Sequence, residues 1–137
     1  MQTAFFIRMN GKFQAIPFAN VVYITAKKNY CEIVTTANKK FMTYGSISCM
    51  EQKLPENMFC RVHRSYIISL QKIDSFDSNH VVVNQEKLPL SKDGFEKVLQ
   101  RVLLICPEYN SSLTHEVTNI SPQLYLDKFR APVHSEN

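Results

Sequence analysis

Tryptophan is absent from this chain of 137 residues, and glycine occurs only 3 times. A phosphate-cradling loop needs clustered glycines so that backbone N–H groups can close on the anion, so a nucleotide-binding loop of that kind is excluded. Cysteine occurs 4 times, as Cys31, Cys49, Cys60 and Cys106, with no CxxC pair. That spacing indicates neither a zinc ribbon nor a disulfide framework, and buried, reduced thiols are the expectation. His63, His80, His115 and His134 show no HxxxH or HxH spacing, so no metal site is expected. The acidic residues are not grouped, and no nucleophile or carboxylate stands at a recognisable spacing from His63. Neither an enzyme nor a cofactor-dependent protein is therefore expected. The longest uninterrupted apolar run is Val102 to Cys106, far short of the roughly 20 residues of a membrane span. No membrane insertion follows, and without an export signal a cytoplasmic location is expected. The triplets NSS (110–112) and NIS (119–121) fit the glycosylation pattern, and in a chain that is not exported they read as chance matches.

With 45% hydrophobic and 20% charged residues, the chain suits one globular domain with its own core. Its charge is uneven. Residues 1–106 hold 14 Lys and Arg against 8 Asp and Glu, whereas residues 107–137 hold 2 against 4. A basic folded region suits a polyanionic partner, nucleic acid among them. Residues 107–137 also carry 3 of the 6 prolines, 4 serines and no sustained periodicity. They read as a flexible C-terminal extension to a domain spanning 1–106, with YLDKF (125–129) the one segment suited to docking.

The folded part reads as mainly β. AFFIRM, Asn10-Gly11 and KFQAI form a hairpin pattern, because Asn-Gly suits the left-handed φ values of a two-residue turn. VVYITA (21–26) and YCEIVTT (30–36) are β-rich runs separated by Lys27, Lys28 and Asn29, and ANKK (37–40) turns the chain into FMTYG. Ser48 followed by Glu51 fits a capping box and predicts a short helix from 48 to Leu54, stopped by Pro55. KIDSF and HVVVN read as two further strands around a turn at Ser78 and Asn79. SKDGFEKVLQRVLLI predicts a longer helix: Ser91 can cap it, Asp93 favours its positive end, and the apolar spacing of Phe95, Val98, Leu99 and Val102 continues to Ile105.

One stretch resists a simple strand reading. In FCRVHRSYIISL (59–70), a single strand would put Val62, Arg64, Tyr66, Ile68 and Leu70 on one side. Burying the Arg64 guanidinium there unpaired would cost roughly several kcal/mol. The chain is therefore predicted to turn at His63 to Ser65 and leave Arg64 in water. Other basic residues also fall in predicted connections: Lys27 and Lys28 beside Asn29 and Tyr30, Arg61 beside His63 and Arg64, and Lys92 after Ser91. Arginine can bond guanine bidentately, asparagine can do likewise with adenine, and lysine or serine can hold phosphates. A solvated turn explains Lys27 and Lys28 equally well, and Tyr30 can equally be a core aromatic.

Taken in order, VVYITAKKNYCEIVTT, the short helix, LPENMFCRVHRSYIISLQKI and LPLSKDGFEKV resemble the LytTR family of bacterial DNA-binding domains over roughly residues 5–103. The most specific phrase of that family is an aromatic followed after a few residues by R-V-H-R-S-Y-I-V-N-L, against FCRVHRSYIISL in this chain. The resemblance implies an elongated fold of small antiparallel sheets with short helices, and recognition of double-stranded DNA without a helix-turn-helix. Loops would enter successive major grooves, at imperfect direct repeats near promoters. By position, the resemblance assigns the first reading loop to Lys27, Lys28, Asn29 and Tyr30, the second to His63, Arg64 and Ser65, and the third to Ser91 and Lys92. Arg61 joins this set as a basic neighbour of the second loop.

Two departures bear on specificity. Ser69 stands where the family favours asparagine, and Lys92 where arginine is frequent after the serine, so a different base preference is expected, with Lys92 holding phosphate as a point charge. Family members often follow a receiver domain, for which 137 residues leave no room. The expected role is a stand-alone transcription regulator, with a separate protein partner supplying the signal. The alternative is a protein-interaction module partnering another regulator, with weak or no DNA binding.

Overall fold

A computed structural model describes residues 1–105 of the protein. Both the proposed extension at 107–137, with its YLDKF segment, and Cys106 lie outside the described residues. The opening segment is a hairpin of β1 (Ala4–Met9) and β2 (Lys12–Pro17). Asn10 and Gly11 turn it with φ of 53° and 75°, the paired left-handed values that favour Asn-Gly. A 3-10 turn at Phe18–Asn20 leads into the central sheet.

That central antiparallel sheet has five strands in the order β5 (Lys40–Tyr44), β4 (Tyr30–Thr35), β3 (Val21–Ala26), β7 (Tyr66–Ser69), β6 (Phe59–His63). Its middle strands read as nearly unbroken apolar runs because both faces are covered. One face gives Ile24, Ile33, Phe59 and Ile67 to a core shared with Ile7, Ile16 and Phe18 of the opening segment and Ile47 and Leu54 of the short helix region. The other gives Tyr23, Val34, Cys60 and Ile68 to a second core with Val81, Val83 and Leu88 of a third sheet and Phe95 and Val98 of the second helix. Full burial of each such side chain is worth about 1.5–3 kcal/mol.

Helix α1 spans Ile47–Lys53. Its cap is Ser46, not Ser48: the Ser46 hydroxyl accepts from the Cys49 N–H at 3.1 Å. Ser48 lies inside the helix and Glu51 pairs with Arg61 and Lys97 instead, so the capping-box spacing is coincidental. The third sheet consists of β8 (Ile73–Phe76), β9 (His80–Val83) and β10 (Glu86–Pro89). β10 carries no clear sequence signal, because its turn is Asn84-Gln85 rather than Asn-Gly. Both residues take left-handed φ, 48° and 72°. Tertiary contacts hold them there: the Asn84 N–H donates to the Lys72 carbonyl at 3.2 Å, and the Gln85 N–H to Asp74 Oδ2 at 2.9 Å.

Helix α2 spans Lys92–Arg101 and is capped by Ser91 as expected. It stops one turn earlier than the apolar spacing suggested. Val102 is extended (φ −111°, ψ 155°), and Leu103, Leu104 and Ile105 are exposed. The Arg101 guanidinium donates to the Phe59 and Glu56 carbonyls at 2.9 and 3.2 Å, tying down the helix end beside β6. Cys31 and Cys60 are buried, but Cys49 on α1 is exposed, contrary to the expectation of buried thiols throughout. No helix among the described residues is long and apolar enough to cross a membrane.

Candidate nucleic-acid interface

Three connections meet at one end of the central sheet. β3 and β7 run antiparallel with Thr25 opposite Tyr66, so the end of β3 lies beside the start of β7. The Ala26 N–H donates to the Ser65 carbonyl at 2.9 Å, joining the first loop to the second. The Ser91 N–H and hydroxyl donate to the Val62 carbonyl at 2.9 and 3.2 Å, joining the third to the strand that leads into the second. The same Ser91 oxygen accepts from the Gly94 N–H at 2.9 Å. One serine thus caps α2 and fixes the loop before it.

The second loop is a tight hairpin turn rather than a broader break. β6 continues to His63, which pairs with Tyr66, and Arg64 and Ser65 alone make the turn. A register shift between Arg61 and His63 marks a bulge at Val62, which lets the strand bend while Val62 stays fully buried. His63 Nδ1 accepts from the Ser65 N–H at 3.1 Å, and its ring lies 5.7 Å from that of Tyr66. Arg64 itself is exposed, so the turn removes the burial problem that a single strand would have posed.

In the first loop, Lys27, Lys28 and Asn29 are exposed and Tyr30 is half-buried. The Lys27 N–H closes the turn on the Tyr30 carbonyl at 2.8 Å. In the third, Ser91 is half-buried and Lys92 exposed. Strand order places the first two loops side by side, 27–30 and then 64–65, and the Ser91–Val62 bonds bring 91–92 to the end of β6. Two strand spacings separate the first two hairpins, or about 10 Å. Among the described residues, Lys27, Lys28, Arg64 and Lys92 have no carboxylate within salt-bridge distance.

Arg61 differs from these four. Its side chain is only 21% exposed and pairs with Glu51 Oε1 at 3.0 Å. The same guanidinium nitrogen donates to the Ser48 hydroxyl at 3.0 Å, and the other to the Arg64 carbonyl at 2.8 Å. Ser69, the departure from the family phrase, is 2% exposed at the far end of β7 from the turn. Its replacement therefore alters the core and not the loop surface.

Two other residues at this end, Tyr44 and Gly45, gave no signal in the sequence. Tyr44 stands opposite Tyr30 in the β4–β5 register and is 89% exposed. Next to it, Gly45 takes φ 129°, which favours glycine, and its N–H reaches the Asn29 carbonyl at 3.5 Å. Gly94 permits the close approach of α2 to β6: a Cβ there would overlap the Val62 carbonyl. A glycine in the first turn of a predicted helix was the available hint, since it costs helix stability unless packing requires it.

The profile of the LytTr DNA-binding domain matches residues 11–102. The sensory transduction protein LytT of Bacillus anthracis is 32% identical over 78 residues, covering 53% of this chain and 31% of the relative. LytT of Bacillus cereus gives the same identity and coverage. The chain thus matches about a third of the length of these curated relatives. A LytTr DNA-binding domain of known structure from Bacillus cereus superposes with a TM-score of 0.60 at 23% identity, over 72% of this chain and 98% of that domain. The profile spans the central sheet, both helices and all three loops, and the superposition shows the same fold: this chain belongs to the LytTR family of DNA-binding domains.

Proposed function

We propose that this protein is a sequence-specific regulator of transcription that binds double-stranded DNA through the three loops at one end of its central sheet, in the cytoplasm. The observation that carries this reading is the set of cations, Lys27, Lys28, Arg64 and Lys92, that have no carboxylate partner among the described residues and stand on loops cross-linked by backbone hydrogen bonds. Cations left unpaired on a rigid frame can meet phosphates and base edges with little ordering cost on binding. Loops rather than a helix would enter successive major grooves, at direct repeats near promoters. Arg64 suits a guanine edge, Asn29 an adenine edge, and Lys27, Lys28, Ser65, Ser91 and Lys92 the backbone. His63 and Tyr30, half-buried beneath their loops, would support the exposed residues and add contacts at their edges. A protein partner would supply the signal that sets activity.

The test is a gel shift of the full chain against promoter fragments of its own genome, its own operon first, repeated over a range of salt. Each phosphate neutralised should contribute about −0.9 to the slope of log K against log salt. A flat response would overturn DNA binding and favour a protein-interaction module.

A further inference from the structure

We propose that Ser48 and Glu51 of α1 act through Arg61 to hold the turn that presents Arg64, so that Arg61 is a positioning residue rather than a DNA contact. The inference rests on the DNA-binding reading above, but its structural part can be tested without DNA. Two-residue hairpin turns favour positive φ, which matches the twist of the flanking strands. Arg64 and Ser65 are not among the residues with positive φ. The turn therefore lacks the backbone geometry that would lock it, and an outside brace has work to do.

Arg61 supplies that brace. One guanidinium nitrogen donates to Ser48 Oγ and Glu51 Oε1, both at 3.0 Å, and the other donates to the Arg64 carbonyl at 2.8 Å. A planar fork with fixed donor directions can join α1 to the turn in this way. The chain of charges continues: Glu51 Oε2 lies 3.7 Å from Lys97 Nζ, which lies 3.9 Å from Asp93 Oδ2 on α2. Fixing the Arg64 carbonyl fixes the backbone from which the exposed Arg64 side chain departs. Three of the five guanidinium donors are taken by these internal partners, and a side chain only 21% exposed gives the other two little access to a phosphate.

The experiment uses the full chain. A preferred duplex is selected from a randomised pool by the unaltered protein, and binding to it and its single-base variants is compared for Arg61→Lys, Arg64→Ala and the double variant. Arg61→Lys keeps the cation beside Glu51 but gives up the fork. It should reduce discrimination about tenfold at the base pair identified by Arg64→Ala, the usual scale for one good base contact. The salt slope should stay unchanged, and the double variant should bind as Arg64→Ala does. Glu51→Gln, remote from the turn, should act in the same direction and guards against a folding defect in Arg61→Lys. Additive losses in the double variant, together with a salt slope smaller by about 1 in Arg61→Gln, which removes the cation, would overturn the proposal and make Arg61 a phosphate contact; the brace predicts an unchanged slope in that variant too. Without DNA, hydrogen exchange at the Ser65 amide should quicken in both Arg61→Lys and Glu51→Gln; unchanged exchange would overturn the brace even if the unaltered chain bound no DNA.

Discussion

The Ala26 amide donates to the Ser65 carbonyl at 2.9 Å, so the first loop begins where the second ends. A displacement of either hairpin is therefore transmitted to the other through backbone, the least adjustable part of the chain. The loops are expected to act as one surface whose side chains differ in role.

Arg64 is expected to carry base discrimination. Replacing it with alanine should cost about 1–3 kcal/mol on the preferred duplex and relax specificity at one position, with little change in melting temperature because the side chain is exposed. Competition with single-base variants measures this. An equal loss on every sequence would demote Arg64 to a phosphate contact.

Lys27 and Lys28 are both exposed and lack carboxylate partners among the described residues. Changing both to alanine should weaken specific and nonspecific binding alike and reduce the salt slope by about 1–2. Thermal unfolding should stay within about 0.5 kcal/mol of the unaltered chain. A large loss of stability instead would show that their stems pack on the sheet.

Tyr44 extends the row of loops on the β5 side, opposite Tyr30. Tyr44→Ala should weaken binding across sequences without relaxing any one base position, since an exposed phenol beside the first loop suits sugar and phosphate contact. Titration of matched and mismatched duplexes checks this, and unchanged affinity for both would leave Tyr44 outside the interface.

Gly94 allows α2 to lie against β6. Gly94→Ala should lower stability by about 1–3 kcal/mol despite the better helix propensity of alanine, because the added Cβ meets the Val62 backbone. It should also weaken the Ser91–Val62 link and the third loop's share of binding. A melting temperature equal to or above that of the unaltered chain would refute the close-packing account.

The cysteines should separate by reactivity. Burial pushes the Cys31 and Cys60 thiols above their usual range, whereas Cys49 is exposed. Alkylation depends on the thiolate and on access. At neutral pH, mass spectrometry should find Cys49 modified well before Cys31 and Cys60, and rapid labelling of Cys60 would contradict the packing of the second core.

Local chemistry made much of this legible from the chain alone. Asn10-Gly11 specified its hairpin, Ser91 its helix start, and the cost of burying Arg64 required a turn near that residue. These depend on neighbours within a few positions, where sequence and geometry are tightly coupled. The family phrase extended that reach to the fold class. Contacts between distant segments were decided only by the tertiary structure. The Asn84-Gln85 turn is held by Lys72 and Asp74, and Ser48 and Glu51, which mimic a capping box, are directed to Arg61. The different surroundings of Arg61 and Arg64 follow the same logic. Both are arginines in one basic phrase, but the Val62 bulge and the approach of α1 leave Arg61 with internal partners and Arg64 in solvent. No rule of spacing within the strand could separate them, because the carboxylate that pairs with Arg61 comes from a helix ten residues earlier in the chain.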